Sequence, residues 1–432
     1  MKSLKIALFT YSTKPRGGVV HTLNLAEELA RLKHRVHIYA LGSKEVSAVT
    51  SKPAPSLVEG TRDLPDVDES GAKILGSPPV LLVDEKSEFF RPVEVPFTII
   101  PCSTLPEENI DERVKRYITT YTDYLSSVRE RYDIYHAEDC ISANTLLELR
   151  SRGLIRFFVR TVHHIDDFTS KSLIECQLRS ILEPDYLIVV SKFWEKELRS
   201  RYSLNPTVIN NGVDIEKFKI QGDEGIKERA KNSFSVNGNN VMLSIGGIEP
   251  RKNTLTALRA FNIVSDYFKS KGERLVWLIG GGETLFDYRA YREEFFSEIN
   301  RLGLKLDEDI IILGPVPEDS ISKLYQAGDV FVFPSIKEGW GLVVLEAMAS
   351  GIPVIASGIE PMTDYLEDEK NALLVSPMDY KALAQQIIRV LEKTELRYKL
   401  IGNGIKTAQV YSWRNTALRH SEFYNRILEG VR

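Results

Sequence analysis

Short apolar runs recur along this chain, and most are followed by a stretch with helical spacing. The first is KIALFT at 5–10, an apolar run bounded by polar residues. That is the pattern of a strand buried on both faces of a parallel sheet. A polar, glycine-containing turn follows at 12–18, and residues 20–33 then set Leu23, Ala26, Leu29 and Ala30 on one helical face. The next strand is expected at 36–41. A β-α-β opening of this kind needs a crossover, and so a parallel sheet covered by helices.

The alternation runs in two series. After a helix expected at 113–132, strands are expected at 134–136, 157–162 and 186–190. Asn210-Asn211-Gly212 is a strong turn signal. Beyond it, strands are expected at 241–245, 275–280, 310–313, 330–333, 354–356 and 372–375, which makes a second doubly wound sheet. The expected architecture is α/β, with a Rossmann-like domain over 1–208 and another over 209–410. A last helix at 413–428 follows the final strand, and 411–432 is expected to pack back on the first domain. Residues 44–112 are rich in Pro, Ser and acidic side chains, with short apolar pieces at 80–83 and 97–100. They read as an insertion of loops and a small hairpin.

With 432 residues, the chain can bury several cores without disulfides or metals. Its net charge of −4 gives no support to a nucleic-acid coat. Cys102, Cys140 and Cys176 are an odd number and widely spaced, which argues against a disulfide framework or a zinc site and favours a reducing, cytoplasmic setting. No apolar run reaches the roughly 18–20 residues needed to span a bilayer, so membrane contact is expected to be peripheral at most.

The densest chemical signal is FPSIKEGWGLVVLEAMASGIPVIAS at 333–357. A strand ends at Phe333, a glycine-bearing loop follows, and a helix begins near Gly341. The N–H groups of Gly341, Leu342 and Val343 at that start make an anion site backed by the helix dipole. A diphosphate fits it. Glu338 and Glu346 flank the site. Carboxylates so close to phosphate suit sugar and ribose hydroxyls better than the phosphate itself. A lone glutamate in a glycine-rich turn is often only solvated; a pair with a Gly-x-Gly between them is a stronger signal.

At these residues the chain resembles glycosyltransferase family 4, retaining transferases of the GT-B fold, whose signature of two glutamates separated by seven residues reads EGWGLVVLE here. The resemblance runs in motif order along nearly the whole chain. It implies that Glu338 lies against the donor sugar, that Glu346 binds ribose hydroxyls, and that backbone at Gly339, Gly341, Leu342 and Val343 holds the diphosphate. It extends to LSIGGIEPRKN at 243–253, where Gly246 ends a strand and Arg251 and Lys252 follow. Two cations there would neutralise the departing diphosphate. The family usually has Gly-Arg where this chain has Gly246-Gly247, so the arginine role moves to Arg251.

Three further segments match. Gly17 and Gly18 stand where the family has a glycine pair near donor phosphate and acceptor, although two glycines after a strand are also a common turn. In TVHHIDD at 161–167, His163 corresponds to a strand-end histidine that contacts the transferred sugar, with His164 as the fallback. Read without the family, His-His-x-Asp-Asp could suggest a metal site, but adjacent histidines point apart on most backbones. Val316 in GPVP lies in the loop whose backbone reads the base.

The resemblance implies transfer of a sugar from a nucleotide-diphosphate donor to an acceptor hydroxyl with net retention and without metal or other cofactor. No second carboxylate is placed as a nucleophile, unlike in glycosidases. The acceptor, a small molecule, glycan or lipid, is expected on the first domain. Rival readings are a catalytically idle nucleotide-binding protein and a GT-B phosphorylase or epimerase.

Overall fold

The computed structural model describes residues 2–42, 89–102, 105, 108–219, 225–281 and 288–431. The first sheet holds β1 (Lys5–Thr10), β2 (Arg35–Gly42), β3 (Phe97–Pro101), β4 (Ile134–Ala137), β5 (Val159–Val162), β6 (Tyr186–Val189) and β7 (Thr207–Val208). The second holds β8 (Asn240–Ile245), β9 (Leu275–Gly280), β10 (Ile310–Gly314), β11 (Val330–Phe333), β12 (Val354–Ser357) and β13 (Leu373–Val375). Their orders are β3-β2-β1-β4-β5-β6-β7 and β10-β9-β8-β11-β12-β13. Every named pairing is parallel. In each sheet the order reverses beside the first strand, the switch point where open α/β sheets bind ligands. The α/β, twice doubly wound GT-B architecture expected from the sequence is therefore present.

The strands form where the apolar runs are because both sheet faces are covered. All six residues of β9 are buried, as are the last five of β1. The reading of 44–112 needs correction at its described end. Phe97–Pro101 is not part of a hairpin; it pairs in parallel with β2 as the edge strand, with Ile38 opposite Phe97. The helix expected from 113 begins at Ile110, where Asn109 and Glu112 form a capping box. The apolar piece at 80–83 lies outside the described residues.

The last helix, Trp413–Val431, does pack on the first domain. Ala417, Phe423, Tyr424 and Ile427 join Leu4, Ile6, Leu23 and Ile38 in one core. Burying side chains of this size contributes roughly 1.5–3 kcal/mol each. The crossing requires Gly212: a Cβ there would lie 2.3 Å from the Trp413 nitrogen. Val213 bridges to Ser412 beside it. A second apolar cluster spans both sheets, joining Val162, Val189 and Trp194 to Phe333, Trp340 and Val344. None of the described helices is long and apolar enough to cross a membrane.

Candidate functional site

Glu138, His163, Gly246, Val316 and Glu338 all follow the carboxyl ends of strands, β4, β5, β8, β10 and β11 respectively. The site therefore grows from strand ends of both sheets and lies where they face each other.

In the second domain, two loops are clipped together. Ile336 N donates to Arg251 O at 2.9 Å, and Asn253 Nδ2 donates to Pro334 O at 3.1 Å. This brings the cations to the glutamate. Glu338, 8% exposed, accepts at Oε1 from Lys252 Nζ at 2.7 Å and from Arg251 Nη1 at 3.0 Å. Burial alone would raise its carboxyl, but the Lys252 and Arg251 charges outweigh it and hold the group below the usual range. Burial in turn lowers Lys252, with Glu338 opposing. Arg251 also pairs with buried Glu249 at 3.2 Å.

Arg251 and Lys252 do not sit in the first turn of a helix. They occupy a single 3₁₀ turn, Pro250–Lys252, ahead of the helix Thr254–Ser270. Lys252 lies with its ammonium 4.5 Å from the Phe333 ring centroid. Its stem crosses Gly246, where φ is +144° and a Cβ would stand 3.1 Å from Lys252 Cε. Glycine is needed there on both counts.

Gly341 caps the helix Leu342–Ala349 with φ +86°. A Cβ on it would lie 2.9 Å from Tyr365 Oη, which donates to Trp340 O at 3.0 Å. Leu342 and Val343 open the helix, so their N–H groups lack partners within it. One turn on, Glu346 accepts from Tyr325 Oη at 2.7 Å. Burial raises its carboxyl, and the Tyr325 bond works against that. Val316 packs beside Gly280, where a Cβ would stand 3.1 Å from Val316 Cγ2.

The first domain contributes a polar cluster. His163 Nε2 is 3.1 Å from Glu138 Oε2, and His21 Nε2 is 3.5 Å from the same oxygen. His21 Nδ1 meets Asn211 Oδ1 at 2.9 Å. Burial raises Glu138 to about 7, and burial depresses His21 to about 3. Gly18 covers this group: a Cβ on it would sit 3.8 Å from His163 Cδ2. Gly17 is exposed and touches nothing there. His164 turns away, 3.2 Å from Asp166 Oδ1 and half exposed, so the two histidines do diverge.

The domains meet across the site. A Cβ on Gly339 would lie 2.8 Å from the His163 carbonyl oxygen. Trp194 Nε1 donates to Gly339 O at 3.2 Å, Lys192 N donates to Asp364 Oδ2 at 2.8 Å, and Lys337 pairs with Asp167. Sequence reasoning missed Glu138, His21, Glu249, Tyr325 and Tyr365. Only Glu138 carried a usable signal, since it directly follows a strand end.

Two family models match the chain in succession. Residues 15–217 match Glycosyltransferase Family 4, and residues 226–407 match Glycosyl transferases group 1. An uncharacterized glycosyltransferase of Methanocaldococcus jannaschii is 26% identical over 446 aligned residues, covering 99% of each chain. Among solved structures, sucrose-phosphate synthase from Thermosynechococcus elongatus superposes with a TM-score of 0.74 at 20% identity, covering 98% of this chain and 99% of that one. HepE of Anabaena, in complex with UDP-glucose, gives 0.69 at 18% identity, covering 98% and 100%. At these identities the structural likenesses speak for the fold.

Proposed function

The chain belongs to the GT-B glycosyltransferases matched by Glycosyltransferase Family 4 and Glycosyl transferases group 1, and we propose that it moves a hexose from a nucleoside diphosphate to an acceptor hydroxyl with retention. The observation that carries this reading is the grouping of Glu338 with Lys252 and Arg251 at 2.7 and 3.0 Å. Two cations and one carboxylate in a cleft suit a ligand with an anionic half and a hydroxyl-bearing half.

The diphosphate would lie at the start of the helix Leu342–Ala349, where free N–H groups and the helix dipole favour an anion. Arg251 and Lys252 would take up the charge that grows on it as the sugar departs. Glu338 would release part of its hold on the cations and accept from sugar hydroxyls. Glu346 would accept from the ribose with the oxygen that Tyr325 leaves free. The bond from the anomeric carbon to phosphate breaks, and the acceptor oxygen bonds to the same face. The departing phosphate takes the acceptor proton. Positioning and charge then account for the catalysis, without a protein nucleophile.

We infer that the two cations and the helix start neutralise the diphosphate without a metal ion. That HepE holds UDP-glucose supports a nucleotide-sugar donor. The acceptor, a small molecule, glycan or lipid, would lie on the first domain near Gly17 and Gly18. Cys102, Cys140 and Cys176 are all free thiols, which supports a cytoplasmic setting. Incubation with a panel of nucleotide-sugars and a read-out of released nucleoside diphosphate tests the proposal. Release that depends on Glu338 and Lys252 supports it; tight nucleotide binding without turnover of any donor opposes it.

A further inference from the structure

Three histidines stand against one buried carboxylate in the first domain, and a fourth packs on two of their rings. His21 comes from the helix Gly17–Arg31, His136 from β4, His163 from the end of β5, and His420 from the last helix. Glu138 lies among them, 2% exposed. His136 is already committed: Nδ1 meets Tyr424 Oη at 2.6 Å and Nε2 meets Thr161 Oγ1 at 2.7 Å. His420 Nδ1 faces Thr416 O at 2.9 Å. His21 and His163 share one carboxylate oxygen, Glu138 Oε2, and their rings meet edge to face at 4.8 Å; Oε1 lies 3.6 Å from His136 Nε2 and has no hydrogen-bond partner.

One arrangement of protons pairs Glu138 Oε2 with both rings, while Glu138 Oε1 and His420 Nε2 keep no hydrogen-bond partner. His21 Nδ1–H donates to Asn211 Oδ1, so its Nε2 must accept. If Glu138 Oε2 carries a hydrogen, it donates to His21 Nε2 and accepts from His163 Nε2–H. His21, His163 and Glu138 are then all neutral, which lessens the cost of burying them. Without that hydrogen, and with His21 Nδ1–H on Asn211, His21 Nε2 and Glu138 Oε2 oppose lone pairs in a buried site. Burial raises Glu138 and lowers both histidines, in keeping with this order.

The consequence lies across the cleft. The His163 ring edge is held at Glu138 beneath Gly18, while its carbonyl stands against Gly339 of the donor loop. Clamping the ring therefore fixes the main chain that meets that loop. We propose that Glu138, backed by His21, is a positioning residue for sugar transfer, holding the His163 ring to the first domain so that the main chain at 163 meets the donor loop at Gly339. This rests on the glycosyl-transfer reading above.

Two measurements on the full chain test it. Histidine NMR needs no sugar. In the wild type the His163 ring should stay an Nε2–H tautomer from pH 5.5 to 8.5, and its shift should report a neighbour titrating near 7. The groups facing that titration are His21, His136, Asp139, Arg160, His163, His420 and Tyr424. A His163 that itself titrates as a free imidazole, near 6.5, overturns the proposal.

Kinetics is the second measurement. Glu138→Gln should keep nucleoside diphosphate affinity within about twofold, since Lys252 and Arg251 are untouched, and should lower kcat by about 10-fold or more, within the range of lost positioning. The wild-type profile should show an inflection near pH 7 from Glu138, and the variant should lack it. An unchanged kcat and profile in Glu138→Gln overturns the proposal. So does one equivalent of zinc retained through dialysis by the wild type and lost in the variant, which would assign the cluster to a metal. If the wild type turns over no donor, the transfer reading fails, while the NMR result still stands on its own.

Discussion

Lys252 Nζ stands 2.7 Å from Glu338 Oε1, and the Arg251 guanidinium approaches the same oxygen at 3.0 Å. One carboxylate oxygen thus holds the two cations assigned to phosphate. The arrangement keeps all three charges in the cleft and in their ionised forms. In the proposed reaction an entering diphosphate takes over the cations, and the carboxylate becomes available to sugar hydroxyls. Glu338→Gln should therefore lower kcat by about 10²–10³-fold, the range for loss of one preorganised polar group. Steady-state kinetics with the active donor reads this, and a loss under threefold would count against the role. Lys252→Ala should weaken nucleoside diphosphate binding, and the double variant should lose less than the sum of the two singles.

The close approach of Gly339 to the His163 carbonyl ties the two domains at the donor loop. Gly339→Ala places a Cβ 2.8 Å from that oxygen, closer than packing allows. The closed arrangement should be strained, with donor KM raised about 10-fold for roughly 1.4 kcal/mol. Thermal stability of each domain should change little. A variant with unaltered KM would show that these loops part during turnover.

Glu346 keeps one oxygen on Tyr325 and is assigned to the ribose with the other. A hydrogen bond to a charged group contributes about 1.5–3 kcal/mol. Glu346→Ala should therefore bind the nucleotide about 10–100-fold more weakly by calorimetry, while its affinity for a 2′,3′-dideoxy analogue should match that of the wild type. Equal losses for both ligands would point to a structural defect.

Glu138 gives stability a defined pH dependence. Its folded value is about 7, raised by burial, against about 4.3 when unfolded. The folded chain keeps a proton there that the unfolded chain has lost, so this contribution is full below about pH 4 and disappears as pH rises through about 7. His21 acts in the opposite direction. Depressed to about 3, it contributes fully above about 6.5 and is lost as pH falls toward 3. Glu138→Gln removes only the first slope. Between pH 5 and 8 the stability difference should move in favour of the variant by on the order of 2–3 kcal/mol. Denaturant unfolding at several pH values checks this, and a flat difference would contradict it.

Tyr424 on the last helix is fully buried and bonds His136. Tyr424→Ala should cost about 3–5 kcal/mol, lowering the first transition in a thermal melt. If the last helix were only loosely docked, the melt would hardly shift.

Much of this was legible in the sequence because buried parallel strands write themselves as apolar runs. KIALFT and LVWLIG became β1 and β9 with their expected bounds. The strand Thr207–Val208 was missed because two residues carry no periodicity. The Phe97–Pro101 edge strand reads as part of a hairpin in the sequence because its partner lies far back in the chain, at Arg35–Gly42. Within the candidate site, Glu338, Lys252 and Gly246 stand out in the sequence by their spacing next to a strand end, and the structure brings them together. Glu138 and His21 were not found. Glu138 stands at a strand end, a signal that local pattern does carry, whereas the place of His21 depends on packing between β4, the first helix and the last one. Tyr325 and Tyr365 look like ordinary core aromatics until their hydroxyls are seen on Glu346 and Trp340.

The most direct measurement is proton NMR of a reaction with the active nucleotide-sugar in the presence of EDTA. The expected result is a product whose anomeric proton keeps the donor's configuration, appearing together with free nucleoside diphosphate. An inverted anomer, or turnover abolished by EDTA and restored by a divalent cation, would contradict transfer driven by Glu338, Arg251 and Lys252.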